Sequence, residues 1–169
     1  MSIRRGWLVL RNAWIYWTKP RHRWNIRQAR KVLAKVRTFE HDGQIVAYLK
    51  KIDPYVFEEM VVQLFHEAGF WVWRTPSYSG DGGVDGKAFH PDTGWCLIQS
   101  KRYGRAIRTQ HVHDFLGIVG KKRGCFVHSG TSTDAIRAHL RGSPVRMLSG
   151  TNLVLCIRKP RVLLRLFSC

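Results

Sequence analysis

Two short segments of the chain combine residue types that can bind a metal ion and act on a phosphate. The first is the loop Gly80-Asp81-Gly82-Gly83, which leads into a predicted strand and places Asp85 at the junction. The second is Gln99-Ser100-Lys101 on the next predicted strand, where strand alternation puts Gln99 and Lys101 on the same face. If the two strands are neighbours in a hairpin, Asp85 can approach both side chains across the pair.

A carboxylate, an amide oxygen and a lysine at one strand end suit magnesium-assisted hydrolysis of a phosphodiester bond. Mg²⁺ takes hard oxygen ligands and keeps several waters, so one or two carboxylates, an amide oxygen and a backbone carbonyl suffice. A lysine beside the metal can orient water or offset charge that develops on phosphorus. Glu58, early in the helix predicted before the sheet, is a further candidate. The same pattern is also typical of a solvated sheet face and a glycine-rich turn, and the spacing leaves these alternatives open.

The surrounding sequence predicts an α/β unit from residue 53 onward. Asp53-Pro54 is a helix-start signal, and the apolar positions that follow predict a helix that stops at Gly69. Three strands are then predicted in series, over 70–74, 84–89 and 95–103, followed by a helix over 109–119, a strand over 125–127, a helix over 133–140 and a strand over 145–148. This order predicts a mixed β-sheet with helices on both faces, whose last strands are added in parallel through crossovers.

Residues 53–157 resemble the Mrr-type restriction endonuclease domain, a branch of the PD-(D/E)xK nuclease superfamily. The matching segments are Asp53-Pro54-Tyr55 with Phe57-Glu58, then Ser79 to Gly86, then Gln99 to Tyr103, with weaker matches at Gly124 to Gly130 and Val145 to Ser149. The resemblance implies a restriction-endonuclease-like fold. It also implies a DNA endonuclease that uses Mg²⁺, with Mn²⁺ as a substitute, in the restriction of foreign or modified DNA.

The resemblance further implies roles for individual residues. Asp85 would bind Mg²⁺, Gln99 would take the place of the more usual acidic residue, Lys101 would be the catalytic lysine, and Glu58 would complete the cluster. The backbone carbonyl of Ser100 is the remaining predicted metal ligand. Because Gln99 is neutral, electrostatics makes Glu58 more important for balancing the metal charge.

Glu59 is adjacent to Glu58, so the sequence leaves open which of the two glutamates faces the site. Phe57 and Val61 mark the buried face of the predicted helix, and Glu58 lies next to that face. We therefore prefer Glu58 as the site residue.

The charge of the chain predicts a polyanionic partner. Its 29 Lys and Arg against 11 Asp and Glu give a net charge of +18, and each phosphate that a cation neutralises releases condensed counterions. No small-molecule cofactor is expected. We predict that DNA is contacted by basic residues on the catalytic strands, after them, and at the end of the next helix: Lys87, Arg102, Arg105, Arg108, Lys121, Lys122 and Arg123. Phosphate contacts of this kind fix register and carry no base information.

The sequence divides into a basic, Trp-rich helical extension over residues 1–52 and a nuclease domain over 53–169, with its core at 53–157. In the extension, Asn25 is a predicted N-cap, Ile26, Ala29, Leu33 and Val36 predict a helix, and a second short helix is predicted after Asp42-Gly43. Three interpretations of residues 1–24 stay open: a helix packed on the body of the protein, an amphipathic helix on a membrane surface, and a nucleic-acid-binding arm.

The cysteines, Cys96, Cys125, Cys156 and Cys169, form no C-x-x-C pair, which excludes a zinc ribbon or a redox motif. They are typical of small core residues in a reduced, cytoplasmic protein. The longest run without Asp, Glu, Lys or Arg is residues 147–157, which is shorter than the roughly 18 residues that a bilayer span needs.

Two alternatives to a DNA endonuclease stay open. One is a nucleic-acid-binding accessory module of nuclease fold that does not cleave, and the other is a protein tethered to a membrane surface by its N-terminal amphipathic helix. A homodimer is expected if both DNA strands are cut, since a two-fold axis presents two copies of one site to antiparallel strands.

Overall fold

A computed structural model describes residues 13–14, 17–75 and 83–167 of the chain. Its centre is a five-stranded sheet with the strands in sequence order: β1 (Trp71–Arg74), β2 (Gly86–His90), β3 (Gly94–Lys101), β4 (Arg123–His128) and β5 (Val145–Leu148). Strands β1 to β3 are paired antiparallel, and β3 to β5 are paired parallel. The predicted meander followed by parallel addition is confirmed.

The helices of the described residues are α1 (Pro20–Arg37), α2 (Asp42–Leu49), α3 (Pro54–Glu67), α4 (Thr109–Val119), α5 (Asp134–His139), α6 (Gly150–Arg158) and α7 (Val162–Phe167). The sequence patterns predict neither α6 nor α7. Their start signals are weak, because Ser149 at the N-cap of α6 makes no side-chain capping bond. Helix α7 has only six residues.

Helix α3 begins and ends where local signals predict. Asp53 Oδ1 accepts hydrogen bonds from the backbone N–H groups of Tyr55 at 2.8 Å and Val56 at 3.1 Å, and Pro54 occupies the first turn. The helix ends at Glu67, and Gly69 then adopts a φ of +102°, which a residue with a Cβ rarely takes. The capped start fixes the register in which α3 lies against the sheet.

Helices cover the sheet on both faces, as predicted. On one face, α1, α2, α3, α6 and α7 form the main core with strand residues such as Val72, Ala88 and Ile98. On the other face, Phe115 of α4 and Ile136 of α5 form a second core. The strands that carry the candidate site therefore lie between two packed layers.

Helix α1 begins earlier than the sequence predicts. Pro20 is its first residue, and Asn25 lies buried inside the helix, so the prediction of Asn25 as the N-cap is wrong. Pro20 is a start signal of its own, because its fixed φ suits the first turn. The predicted apolar positions, Ile26, Ala29, Leu33 and Val36, are all buried, and the second predicted helix is present as α2.

Residues 20–50 share the main core with the residues that follow them. Arg37 of α1 donates to Glu67 of α3 and to the carbonyl of Ile157 in α6. Most of residues 1–24, for which three interpretations are open, lie outside the described residues. Trp14, Trp17 and Trp24 are exposed. None of the helices in the described ranges is both long and apolar enough to cross a bilayer.

Candidate active site

Asp85 lies immediately before β2 and bonds to β3 with both its backbone and its side chain. Its N–H donates to the carbonyl of Ile98 at 2.9 Å. Its Oδ2 accepts from the N–H of Ser100 at 2.5 Å and from the Ser100 hydroxyl at 2.7 Å. The hairpin predicted from the sequence is thus present, and it fixes the carboxylate at the residue between Gln99 and Lys101.

Gln99 is buried under the loop that precedes Asp85. Gly83 adopts a φ of +81°, and a Cβ at that position would lie 2.8 Å from Gln99 Nε2. The loop backbone can approach the amide this closely because residue 83 is a glycine. Gln99 itself is 4% exposed.

Among the described residues, the carbonyl oxygen Oε1 of Gln99 has no hydrogen-bond partner although it is fully buried. A buried acceptor without a partner costs about 1–3 kcal/mol, so such atoms usually have a ligand or an ordered water. The side chain that the sequence assigns to a metal therefore carries an oxygen donor with unmet bonding capacity among the described residues.

Lys101 ends β3 and stands beside a group of aromatic and histidine rings. His128, the last residue of β4, is its register partner in the parallel pair. The Tyr103 hydroxyl is hydrogen-bonded to Nδ1 of His111, and the ring of Tyr103 also contacts His128. Burial lowers the pKa of His111, and the positive charge of Lys101 lowers it further, so this imidazole lies within the field of Lys101.

Sequence reasoning assigns no role to Tyr103, His111 or His128 in this group. Their only signal is the position of His128 at the carboxyl end of a strand parallel to β3. The sequence alone does not show that His128 lies beside Lys101, because this follows from the parallel register of β3 and β4.

The two adjacent glutamates of α3 have different surroundings. Glu59 is buried and accepts from Nε of Arg74 at 2.8 Å, and it lies 3.0 Å from Nδ1 of His22. Glu58 is only half-buried. Glu58 precedes Val62 by one helical turn, so the two side chains lie on the same side of α3. Val62 in turn packs against β2, because a Cβ added at Gly86 would lie 3.1 Å from its side chain. The side of α3 that carries Glu58 therefore faces the start of β2 at Gly86.

The loop after β3 holds two of the predicted DNA-binding residues, Arg105 and Arg108, both exposed. Ser129 fixes the start of this loop, since its hydroxyl exchanges 2.9 Å hydrogen bonds with the backbone N–H and carbonyl of Tyr103. Further along, the N–H of Thr131 donates to the carbonyl of Arg105 at 3.2 Å. Two guanidinium groups are thus presented from an ordered loop at the Lys101 end of β3.

The other predicted basic residues have different environments. Lys121 and Lys122 are exposed, but they precede β4, whose first residue, Arg123, pairs with Cys96 at the opposite end of β3 from Lys101. Five residues of strand separate these ends by roughly 16 Å. The structure therefore does not bring Lys121 and Lys122 to the site.

Arg102 and Arg123 are held by backbone carbonyls. Arg102 donates to the carbonyl of Lys50 at 2.9 Å, and Arg123 donates to those of Thr93 at 2.5 Å and Phe167 at 3.0 Å. Both guanidinium groups thus join distant parts of the fold. Lys87, by contrast, is exposed in the middle of β2.

The oxygen donors at this site fit a hard divalent cation. Asp85 contributes a carboxylate fixed at Ser100, and Gln99 contributes an amide oxygen that no described residue hydrogen-bonds. Across residues 13–14, 17–75 and 83–167, no three His, Cys, Asp or Glu side chains are grouped to hold a metal. The predicted set is of a different kind, with two carboxylates and two uncharged oxygens.

Residues 49–157 match the Mrr_cat family of restriction endonucleases. The chain belongs to this restriction endonuclease family. The match confirms the family, the fold class and the endonuclease class that the sequence predicts.

Among solved structures, the chain is similar to MspJI restriction endonuclease in complex with a 27-mer oligonucleotide. The two chains share 16% sequence identity with a TM-score of 0.42 over 81% of this chain and 31% of that chain. The chain thus spans about a third of the length of MspJI. Comparison with curated proteins gives no significant match.

Proposed function

We propose that this chain is a Mg²⁺-dependent DNA endonuclease that acts in the restriction of foreign or modified DNA, with Mn²⁺ as a substitute metal. The proposal rests above all on one observation. In a chain of the restriction endonuclease family, the Asp85 carboxylate is fixed at Ser100, while the buried Oε1 of the adjacent Gln99 has no partner in the part of the chain that the structure describes. A metal ligand set needs this combination of a fixed anionic oxygen and an oxygen with free bonding capacity.

Asp85, Gln99, Glu58 and the backbone carbonyl of Ser100 are the residues that would hold the metal. Two carboxylates among these four oxygens match the charge of a divalent cation, which a set with Gln99 and only one carboxylate would not. When bound, Mg²⁺ polarises the phosphoryl group and lowers the pKa of coordinated water. Two donors from Ser100 hold Asp85 in place, so its carboxylate needs little rearrangement to act as a ligand.

Lys101 is the residue we assign to the reacting phosphate. It lies on the same face of β3 as Gln99 and next to Ser100 in the chain. An ammonium group there can orient the attacking water and offset negative charge that builds on the phosphorus oxygens. Tyr103 and His111 border this position without serving as metal ligands in the proposal.

DNA is the proposed substrate because the site lies beside exposed cations on a chain of net charge +18. Arg105 and Arg108 extend from the loop that follows Lys101, where they can contact phosphates on either side of the scissile bond. Cutting of both strands would use a second copy of the chain. The free thiols of Cys96, Cys125 and Cys156 support a reducing compartment, which we infer to be the cytoplasm.

Plasmid cleavage tests the proposal directly. The purified chain is incubated with methylated and unmethylated supercoiled DNA in Mg²⁺, Mn²⁺ or EDTA, beside the Asp85→Asn and Lys101→Met variants. The matched controls are Asp92→Asn, an exposed carboxylate in the β2–β3 turn, and Lys159→Met, an exposed lysine after α6.

We expect metal-dependent nicking or linearisation that both site variants lose and both controls retain. DNA binding without cleavage in any metal would instead favour the accessory-module alternative. Cleavage that survives Asp85→Asn would contradict the assigned site.

A further inference from the structure

Four aromatic side chains form a continuous surface on strands β1 to β3, here called the aromatic face: Trp71, Trp73, Phe89 and Trp95. The ring centroids of Trp73 and Trp95 are 4.7 Å apart, those of Phe89 and Trp95 are 5.3 Å apart, and those of Trp71 and Phe89 are 5.4 Å apart. The antiparallel register pairs Trp71 with Phe89 and Phe89 with Trp95, so these rings are cross-strand neighbours on one side of the sheet.

Among the four residues of the aromatic face, Trp95 is exposed, and Trp71, Trp73 and Phe89 are partly buried. None of its four residues belongs to either hydrophobic core. Helices α4 and α5 cover the same side of the sheet further along, where their side chains pack with Phe126 of β4. Trp95 is consequently 48% exposed, a large fraction for an indole in the middle of a sheet.

A cleft of about 240 Å³ is lined by Trp73, Trp95, Lys87, Arg74 and Thr75. Lys87 pairs with Trp73 across β1 and β2, is the diagonal neighbour of Trp95 and is exposed, so an ammonium group borders the rings. Thr75 donates to the backbone carbonyl of Asp85 at 3.1 Å. The cleft therefore adjoins the backbone of the residue that we assign to the metal.

The aromatic face lies on the same side of β3 as Gln99 and Lys101. Trp95, Gln99 and Lys101 are separated by even numbers of residues, so strand alternation puts them on one face. Four residues of strand place Trp95 roughly 13 Å from Gln99. A nucleic acid strand that reaches the site can thus also reach the rings.

We propose that the aromatic face binds the bases of an unpaired DNA strand by stacking, with Lys87 contacting a phosphate of the same strand. The inference rests on the proposed function, in which DNA is the substrate. It adds that the aromatic face binds a single-stranded segment of that DNA. Aromatic rings beside a cation are the usual platform for unpaired bases, since every base offers a π-face. An apolar protein partner would not account for the exposed Lys87 in the lining of the cleft or for a chain of net charge +18.

The test measures binding separately from cleavage. A short fluorescently labelled oligothymidine is titrated with the full chain in EDTA, by anisotropy and by quenching of tryptophan fluorescence, beside an abasic oligonucleotide of equal length and a duplex. The variants are Trp95→Ala, Trp95→Phe and the control Trp24→Ala, which removes a similarly exposed indole from α1. Trp95 is exposed enough for its removal to leave the core intact.

Stacking predicts that Trp95→Ala weakens oligothymidine binding about tenfold or more, that Trp95→Phe retains most of it, and that Trp24→Ala leaves it unchanged. The abasic oligonucleotide should bind as weakly to the wild type as oligothymidine binds to Trp95→Ala. Equal binding of oligothymidine and abasic strands would overturn the proposal, and so would unchanged binding by Trp95→Ala. So would self-association that sedimentation detects in the wild type and not in Trp95→Ala, since a second copy would then occupy the face.

The binding experiment and the plasmid cleavage assay can each contradict one proposal without contradicting the other. A chain that binds oligothymidine through Trp95 but cleaves no plasmid would retain the aromatic face as a base-binding surface and lose the endonuclease assignment. A chain that cleaves plasmid while Trp95→Ala binds single strands normally would remain an endonuclease and lose only base stacking on the aromatic face.

Discussion

Asp85 and Ser100 are joined by two hydrogen bonds to one carboxylate oxygen, from the N–H at 2.5 Å and from the hydroxyl at 2.7 Å. The backbone bond survives substitution of residue 100 by any residue except proline, whereas the hydroxyl bond can be removed alone. Hydrogen bonds to charged groups contribute about 1.5–3 kcal/mol. The pair therefore allows the positioning of the proposed metal ligand to be weakened without deleting the ligand.

Ser100→Ala should raise the Mg²⁺ concentration needed for half-maximal cleavage by about tenfold, because Asp85 then keeps only one of the two donors that hold it. The measurement is the initial rate of plasmid nicking as a function of Mg²⁺. Ser143→Ala removes a serine that bonds only to backbone in the α5–β5 turn, and it should leave the Mg²⁺ dependence unchanged. An identical Mg²⁺ curve for wild type and Ser100→Ala would contradict the positioning role.

Glu59→Gln should mainly reduce stability and Glu58→Gln should mainly reduce cleavage, although the two residues are adjacent. Glu59→Gln leaves Arg74 and His22 without their buried anion and should lower the free energy of unfolding by about 3–5 kcal/mol. Glu58→Gln should change stability by less than about 1 kcal/mol and reduce cleavage at least about tenfold, since it removes a proposed metal ligand. Urea denaturation and nicking assays on both proteins check this. A destabilised Glu58→Gln with normal specific activity would assign the structural role to Glu58 instead.

The glutamate pair also shows where sequence reasoning stops. Asp53 and Pro54 predict the start of α3 because their effect is local, a cap on the next three residues. The burial of Glu59 depends on His22 and Arg74, which are 37 and 15 residues away in the chain. Adjacent helix positions differ by about 100° in direction, so an apolar stripe alone does not decide which of two neighbours turns inward.

The predicted basic residues illustrate the same limit. They form one set in the sequence, but the parallel pairing of β4 with β3 puts Lys121 and Lys122 at the opposite end of the sheet from Lys101. The strand order follows from local patterns and connection rules. The end of the sheet at which each residue lies follows from register, as does the approach of Gly83 to Gln99.

Because Arg105 and Arg108 lie at one end of β3 and Lys121 and Lys122 at the other, two double variants can be compared. Removing Arg105 and Arg108 together should weaken duplex binding and lower the slope of log affinity against log salt by about 2, one for each phosphate that is no longer neutralised. Removing Lys121 and Lys122 together changes the net charge equally but should reduce the slope by less, because these residues lie at the far end of β3. Binding isotherms at several salt concentrations give both slopes. Equal slopes for the two double variants would argue for diffuse attraction instead of phosphate binding at a defined place.

Gly83→Ala should impair cleavage more than it impairs stability. The substitution adds a Cβ 2.8 Å from Gln99 Nε2 at a φ of +81°, so the Gln99 amide must move. Gly94→Ala is the control, because Gly94 has a similar φ of +75° and nothing within 4 Å of the added Cβ. Both variants should lose about 1–2 kcal/mol of stability from backbone strain, and only Gly83→Ala should also lose cleavage. Thermal unfolding and nicking rates separate the two effects, and equal nicking by both variants would count against Gln99 as a ligand.

His128 should make the fold sensitive to acid. Burial is the main cause that lowers the pKa of this imidazole from 6.5 to about 4; the backbone of Gly130 opposes this lowering, and the charge of Arg137 adds to it. Both ring nitrogens are buried and have no hydrogen-bond partner among the described residues. The unfolded chain therefore takes up a proton at His128 before the folded chain does, and the protein is destabilised as the pH falls from about 6.5 to about 4.

The loss at His128 should reach about 3 kcal/mol near pH 4 and increase little below it, since 2.5 units of pKa correspond to that free energy. Burial also lowers the pKa values of His66 and His111, which adds acid sensitivity of the same sign. His128→Leu removes only the contribution of His128, so the difference between wild type and variant isolates it from every carboxylate. Urea midpoints at pH 7.5 and 4.5 measure that difference. Parallel pH profiles for the two proteins would contradict this expectation, because they would mean that His128 has the same pKa in the folded and the unfolded chain.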